Sequence, residues 1–141
     1  MTLIRTCVNV SLDSSAWLAH LLGEPGMEQV NLLFDDPRAE ISISVLSIPE
    51  VYGRLRAMGK QEYWPSVWES YTALFTRMLA TDEKIARQAI VLRASMPERL
   101  PTVDGLIAAT AGVHGLILVH RDPHLAAIPS HLLQQQQLPH K

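Results

Sequence analysis

Gly115-Leu116-Ile117-Leu118-Val119-His120-Arg121-Asp122-Pro123 is a run of four apolar residues held between a glycine and a polar turn. Four to eight such residues suit a strand and are too few for a helix, and without polar alternation both faces must be covered. A strand buried on both faces implies a parallel sheet with helices on either side. This strand ends at Asp122, which puts a carboxylate at its carboxyl end.

The segments on either side alternate in the same sense. Upstream, Thr102 is expected to cap a helix with the spine Val103, Leu106, Ile107 and Ala111, stopped by Gly115, with Asp104 in its first turn. Before it, Asp82 can cap a helix carrying Ile85, Ala86, Ala89, Ile90 and Leu92 on one side and leaving at Pro97. Residues 62–79 are aromatic-rich and mostly helical from Pro65, with an end that can turn extended. In the amino-terminal half, residues 8–12 read as a strand ending at Asp13, and Ser14 or Ser15 as the cap of a helix bearing Ala16, Trp17, Leu21 and Leu22. Gly23-Glu24-Pro25-Gly26 breaks that helix, and a second helix follows over residues 27–34. Ile41-Ser42-Ile43-Ser44-Val45 alternates with period two as a strand, and Ser47-Ile48-Pro49-Glu50 has the spacing of a capping box. The expected fold is α/β, a three-layer α/β/α sandwich around a mostly parallel sheet. It spans residues 1–129 as one domain, and residues 130–141, with Gln134-Gln135-Gln136-Gln137, read as a mobile polar tail.

Composition narrows the setting. A chain of 141 residues, 48% hydrophobic, can bury a core without staples. Its one cysteine, Cys7, cannot form an internal disulfide, and no secretory leader or membrane span is legible, so a cytoplasmic protein is expected. Twelve basic against fourteen acidic residues give a net charge of -2, so any nucleic acid must be held locally rather than by a global basic field.

Parallel sheets place their sites beyond the carboxyl ends of the strands. Asp13 and Asp122 follow strands while Glu50 and Asp104 open helices, so all four carboxylates should meet at one rim. Taken singly, Asp13 could be an N-cap, Glu50 half of a capping box, Asp104 a complement to the helix dipole and Asp122 a turn residue. Together they would repel and call for a hard cation, magnesium or manganese, since zinc prefers histidine or cysteine. Such a site suits phosphodiester hydrolysis by an activated water. Trp17, Trp64, Trp68, Tyr52, Tyr63 and Tyr71 could stack bases or fill a core, and their density over residues 52–71 favours a protein interface. Arg54, Arg56 and Lys60 could touch phosphates, though a solvated helix face accounts for them as well.

Four segments resemble the PIN-domain family, and its VapC-type toxins in particular. They are Leu12-Asp13-Ser14-Ser15-Ala16 with Leu21-Leu22-Gly23-Glu24-Pro25-Gly26; Ile43-Ser44-Val45-Leu46-Ser47-Ile48-Pro49-Glu50-Val51; Leu100-Pro101-Thr102-Val103-Asp104-Gly105-Leu106-Ile107-Ala108-Ala109-Thr110-Ala111; and Leu118-Val119-His120-Arg121-Asp122-Pro123-His124-Leu125. Pro49, Gly105 and His120 depart from the residues usual in the family at those places. The resemblance implies a magnesium-dependent endoribonuclease, with manganese as a substitute ion. Asp13 and Asp104 would be its principal metal ligands, Asp122 and Glu50 would complete the site, and Ser14 would orient a carboxylate or water. It further implies a VapB-type antitoxin as partner, lying in a groove over the aromatic region, and a homodimer. Two other functions fit the same pattern: a catalytically inactive PIN-like module that binds RNA or protein, and a phosphatase or phosphotransfer domain with an aspartate nucleophile. His120 is more readily a hydrogen-bonded residue than a catalytic one.

Overall fold

The computed structural model describes residues 8–139, so Cys7, His140 and Lys141 lie outside it. In chain order the elements are β1 (Val8–Leu12), α1 (Ser14–Leu22), α2 (Met27–Asp35), β2 (Ala39–Ser44), α3 (Ser47–Ala57), α4 (Trp64–Thr72), β3 (Arg77–Leu79), α5 (Glu83–Ala94), α6 (Thr102–Val113), β4 (Ile117–His120) and β5 (Gln135–Gln137). Short 3-10 turns at Gln61–Tyr63 and Leu125–Ala127 join some of them. The five strands form one sheet in the order β3-β2-β1-β4-β5, and every pairing is parallel.

Alternation along the strands decides which layer each side chain joins. Val10, Leu12, Ile41, Ile43 and Val119 face α1 to α4, where Trp17, Tyr71 and Phe75 fill the interior. Leu118 faces the opposite layer with Ile85 and Leu92 of α5 and Ile107, Ala108 and Ala111 of α6. The three-layer α/β/α sandwich expected from the sequence is the fold observed. The small residues of α6 let it lie close to a sheet face that carries buried Ser11, Ser42 and Ser44.

Helix starts differ from expectation at two points. At α3 no side chain caps the terminus, and the buried Ser47 hydroxyl has no partner. Thr102 is the first residue of α6 rather than its cap, with Pro101 before it. Asp82 does cap α5, accepting from the Ile85 amide at 2.9 Å. Ile90, placed on the packed side of α5 by spacing, is instead 68% exposed.

Residues 130–139 are not the mobile tail that composition suggested. Leu133 and Leu138 are buried on either side of the glutamines, and each such leucine contributes roughly 1.5–3 kcal/mol. Between them Gln135–Gln137 adds a parallel edge strand to β4. An edge tolerates polar side chains because one of its flanks meets solvent. Leu138 seats against Gly26, where a Cβ would lie 3.0 Å from the leucine Cβ and where φ is +103°. Only glycine meets both conditions without strain.

Candidate active site

The sheet order reverses between β1 and β4, and a cleft opens beyond the carboxyl ends of two strands at such a switch point. Asp13 and Asp122 follow those two strands. Backbone and side chain stitch the strand ends together: the Asp13 amide donates to the Val119 carbonyl at 3.1 Å, and the Arg121 amide donates to Ser15 Oγ at 2.9 Å. The Ser15 hydroxyl in turn donates to Asp13 Oδ1 at 2.7 Å.

Asp13 is both cap and site residue. Its Oδ1 accepts the Ala16 amide at 2.9 Å and so caps α1, a role the sequence offered to Asp13 as well as to Ser14 or Ser15. Asp13 is only 8% exposed. Burial pushes its pKa up to about 7, with the bonds from Ser15 and Ala16 pulling the other way and the charges of Asp104 and Asp122 pushing further.

Asp104 lies in the first turn of α6. Burial raises its pKa, Glu50 and Asp122 raise it further, and His124 opposes them. Asp122 closes a turn, its Oδ1 accepting the His124 amide at 2.9 Å and facing His124 Nδ1 at 3.2 Å. Glu50 does not close a capping box: its Oε1 accepts the Ser14 hydroxyl at 2.5 Å, so the spacing from Ser47 is coincidental and the acid is turned toward α1. Ser14 thus contacts a carboxylate, where the resemblance implied that it would orient a carboxylate or a water.

All four acids border one pocket of about 250 Å³, together with Ser14 and Ser15 and an apolar wall of Leu18, Ile107 and Leu125. The electrostatic couplings link Asp104 to each of the other three. Among the described residues no three His, Cys, Asp or Glu side chains are grouped closely enough to hold an ion as they stand. The donor set is all oxygen, the type a hard cation takes. Chemically, a pocket of converging carboxylates can fix a cation, orient a water through Glu50 and Ser14, and reject an uncompensated anion.

Two parts of the site were not anticipated. Ser15 bridges Asp13 to the chain after β4, and the Asp-Ser-Ser triplet was its only sequence signal. Arg121 lies beside Asp122 and is held by Glu24 Oε1 at 2.7 Å and the Pro25 carbonyl at 3.1 Å, while Arg54 approaches Glu24 Oε2 at 3.8 Å. His120 is fully buried and does not line the pocket. Toward the carboxyl end of α1 a groove of about 420 Å³ runs between α1, α3 and α4, lined by Leu21, Leu22, Leu55, Tyr63, Val67 and Tyr71 among others. Of the aromatic residues, Trp17, Tyr71 and Phe75 form core, Trp64 stacks on Trp68 at 5.6 Å, and Tyr63 is exposed.

The model of the PIN domain family matches residues 10–130 of this chain. No curated protein matches it. Among solved structures, a chain of VapBC2 from Rickettsia felis, bound to a DNA fragment from its promoter, is similar with TM-score 0.76 and 18% identity, covering 94% of this chain and 100% of that one. DNA-bound VapBC from Salmonella typhimurium gives TM-score 0.73 and 20% identity over 92% and 98% of the two chains. VapC20 from Mycobacterium tuberculosis, a toxin that cleaves the sarcin-ricin loop, gives TM-score 0.67 and 15% identity over 84% and 93%. At these identities the likeness is one of fold. Among the described residues no helix is long and apolar enough to cross a membrane.

Proposed function

The chain belongs to the PIN domain family, and we propose that it is a magnesium-dependent endoribonuclease acting in the cytoplasm as the toxin of a VapBC-type toxin-antitoxin pair. The observation that carries this reading is the single pocket at the switch point bordered by Asp13, Glu50, Asp104 and Asp122.

Asp13, Asp104 and Asp122 would hold the ion, magnesium or manganese, with side chains turned inward from the pocket wall. When bound, it supplies Lewis acidity toward a phosphodiester and makes water a stronger acid. The chain contributes the rest. Asp13 is fixed by its cap bond and by Ser15, so one ligand is in place before the ion arrives. Glu50, held by Ser14, would orient a water and take its proton. Leu18, Ile107 and Leu125 give the pocket an apolar wall, which would lower the local dielectric and strengthen the electrostatic contacts beside it.

The groove over α1, α3 and α4 would receive the antitoxin. A partner segment laying apolar side chains on Leu22, Leu55 and Val67 would touch α1 and α3, the two helices that carry Ser14 and Glu50, as well as α4. An arginine or lysine from that segment could then reach the carboxylates and compete with cation and RNA together. The exposed Ile90 and Val91 of α5 offer apolar surface for a homodimer.

Asp13→Asn and Asp104→Asn test the assignment. Each should abolish cleavage of RNA by the purified protein and growth arrest on expression, with a cooperative melt retained. Full toxicity in both variants would remove these acids from the chemistry, and a folded wild type that binds RNA without cutting it would favour the inactive binding module.

A further inference from the structure

His120 is the one fully buried imidazole among the described residues, and the chemistry proposed above makes no use of it. We infer that His120 and Gln135 form a positioning pair for Asp122, which makes the C-terminal strand β5 a working part of the acidic pocket. This inference rests on the reading of Asp122 as a site carboxylate.

The hydrogen bonds leave one arrangement. The Asp122 amide can only donate, and it points at His120 Nδ1 at 3.1 Å. That nitrogen is therefore the acceptor, and the ring proton sits on Nε2. Nε2 donates to Gln135 Oε1 at 2.7 Å. The other end of the Gln135 amide donates to the Ile128 carbonyl at 3.2 Å, which fixes which way the amide faces. Both imidazole nitrogens are thus committed, one to the strand that follows and one to the backbone of the acid.

The backbone closes around the same point. Gln137 pairs with His120 across the β4–β5 ladder, and the Leu138 amide donates to the His120 carbonyl at 2.6 Å. Leu138 in turn presses on Gly26, at the end of the loop whose Glu24 and Pro25 hold Arg121. The chain leading into Asp122 is therefore held at both His120 and Arg121. Asp122 Oδ1 accepts the His124 amide, so the carboxylate is held in a turn whose first amide is the one that His120 accepts. If packing alone were needed at this strand end, an apolar residue would serve without the cost of burying an imidazole. The imidazole supplies what an apolar residue cannot, an acceptor aimed at one amide and a donor aimed at one glutamine.

Two substitutions of similar length separate a positioning role from a packing one. Gln135→Met removes the acceptor, and Gln135→Glu keeps it. In Gln135→Met, amide exchange at Asp122 should quicken by about tenfold and the His120 nitrogen resonances should report loss of the single tautomer. RNA cleavage should fall by about tenfold in kcat with KM within about twofold, since a displaced ligand costs the reaction more than it costs RNA binding. Gln135→Glu, which keeps the acceptor for Nε2 but gives up the donor to Ile128, should recover part of both. Unchanged Asp122 exchange and unchanged kcat in Gln135→Met would overturn the inference, as would equal losses in the two variants. If the wild type cuts no RNA, the nuclease reading fails, and amide exchange with the tautomer signal then decides on the pair by itself.

Discussion

The Ser14 hydroxyl donates to Glu50 Oε1 at 2.5 Å across 36 residues of sequence, joining the first turn of α1 to the first turn of α3. That contact replaces the local capping box which the Ser47 to Glu50 spacing suggested, and it assigns the acid to the pocket rather than to its own helix.

Glu50→Gln keeps an acceptor for Ser14 but removes the charge. Cleavage should fall by at least about tenfold while the melting temperature stays near that of the wild type. A lost cap would do the reverse, lowering stability by about 1 kcal/mol and sparing activity. Thermal melting and cleavage rates measured on the same preparation separate the two.

Asp13 makes the ion-free protein sensitive to pH in a direction unusual for an aspartate. Its folded pKa, about 7, lies above the unfolded 3.8, so the native state binds the extra proton. The stability this group contributes is complete below pH 3.8 and is lost as pH rises through 7. Asp13→Asn keeps the cap, because asparagine is as good an N-cap as aspartate, and it removes the titration. In chelator, denaturant melts should show the variant gaining on the wild type between about pH 4 and pH 8. A constant difference across that range would contradict the buried-carboxyl account.

Gly26→Ala forces a side chain onto a backbone with φ of +103° and into Leu138. The strain should cost roughly 1–3 kcal/mol, read as a lower melting temperature. It should also loosen the amides of residues 135–138 before the rest of the sheet in hydrogen exchange, since Leu138 anchors that strand.

Much of the architecture was readable because it rests on pattern. The unbroken Leu116 to Val119 run, the alternating Ile41 to Val45 run and the breakers between helices are local signals, and three layers with a parallel sheet follow from them. The carboxylates were readable for the same reason, each marking the end of a strand or the start of a helix. What stayed hidden depends on contacts distant in sequence. The Ser47 to Glu50 spacing satisfied a local rule while Glu50 turned toward a hydroxyl on another helix. The glutamine run looked like a solvated tail because composition does not reveal that Leu133 and Leu138 find a core on either side of it. Gly105 departs from the alanine usual in the family, and its reason is tertiary. The Arg93 side chain crosses it on the way to the Leu100 carbonyl, which Nε reaches at 2.9 Å, and an alanine methyl at position 105 would stand 3.3 Å from the arginine Cγ and Cδ.

The partner surface carries its own expectation. Tyr63→Ala and Val67→Asp alter the groove over α1, α3 and α4 without touching the acids. Co-expression with the product of an adjacent reading frame should give a complex that both substitutions weaken, while RNA cleavage by the free protein is unchanged. Protection of the groove residues in hydrogen exchange on complex formation is the confirming observation, and protection confined to residues 130–139 would place the partner elsewhere.

If the four carboxylates work through a bound divalent ion, metal add-back on the purified, partner-free protein will reveal it. Stripped of metal with EDTA, the protein should cut no RNA; magnesium or manganese should restore cleavage in the wild type, and neither should restore it in Asp13→Asn. Cleavage that continues undiminished in EDTA, or that Asp13→Asn retains at the wild-type rate, would contradict the account.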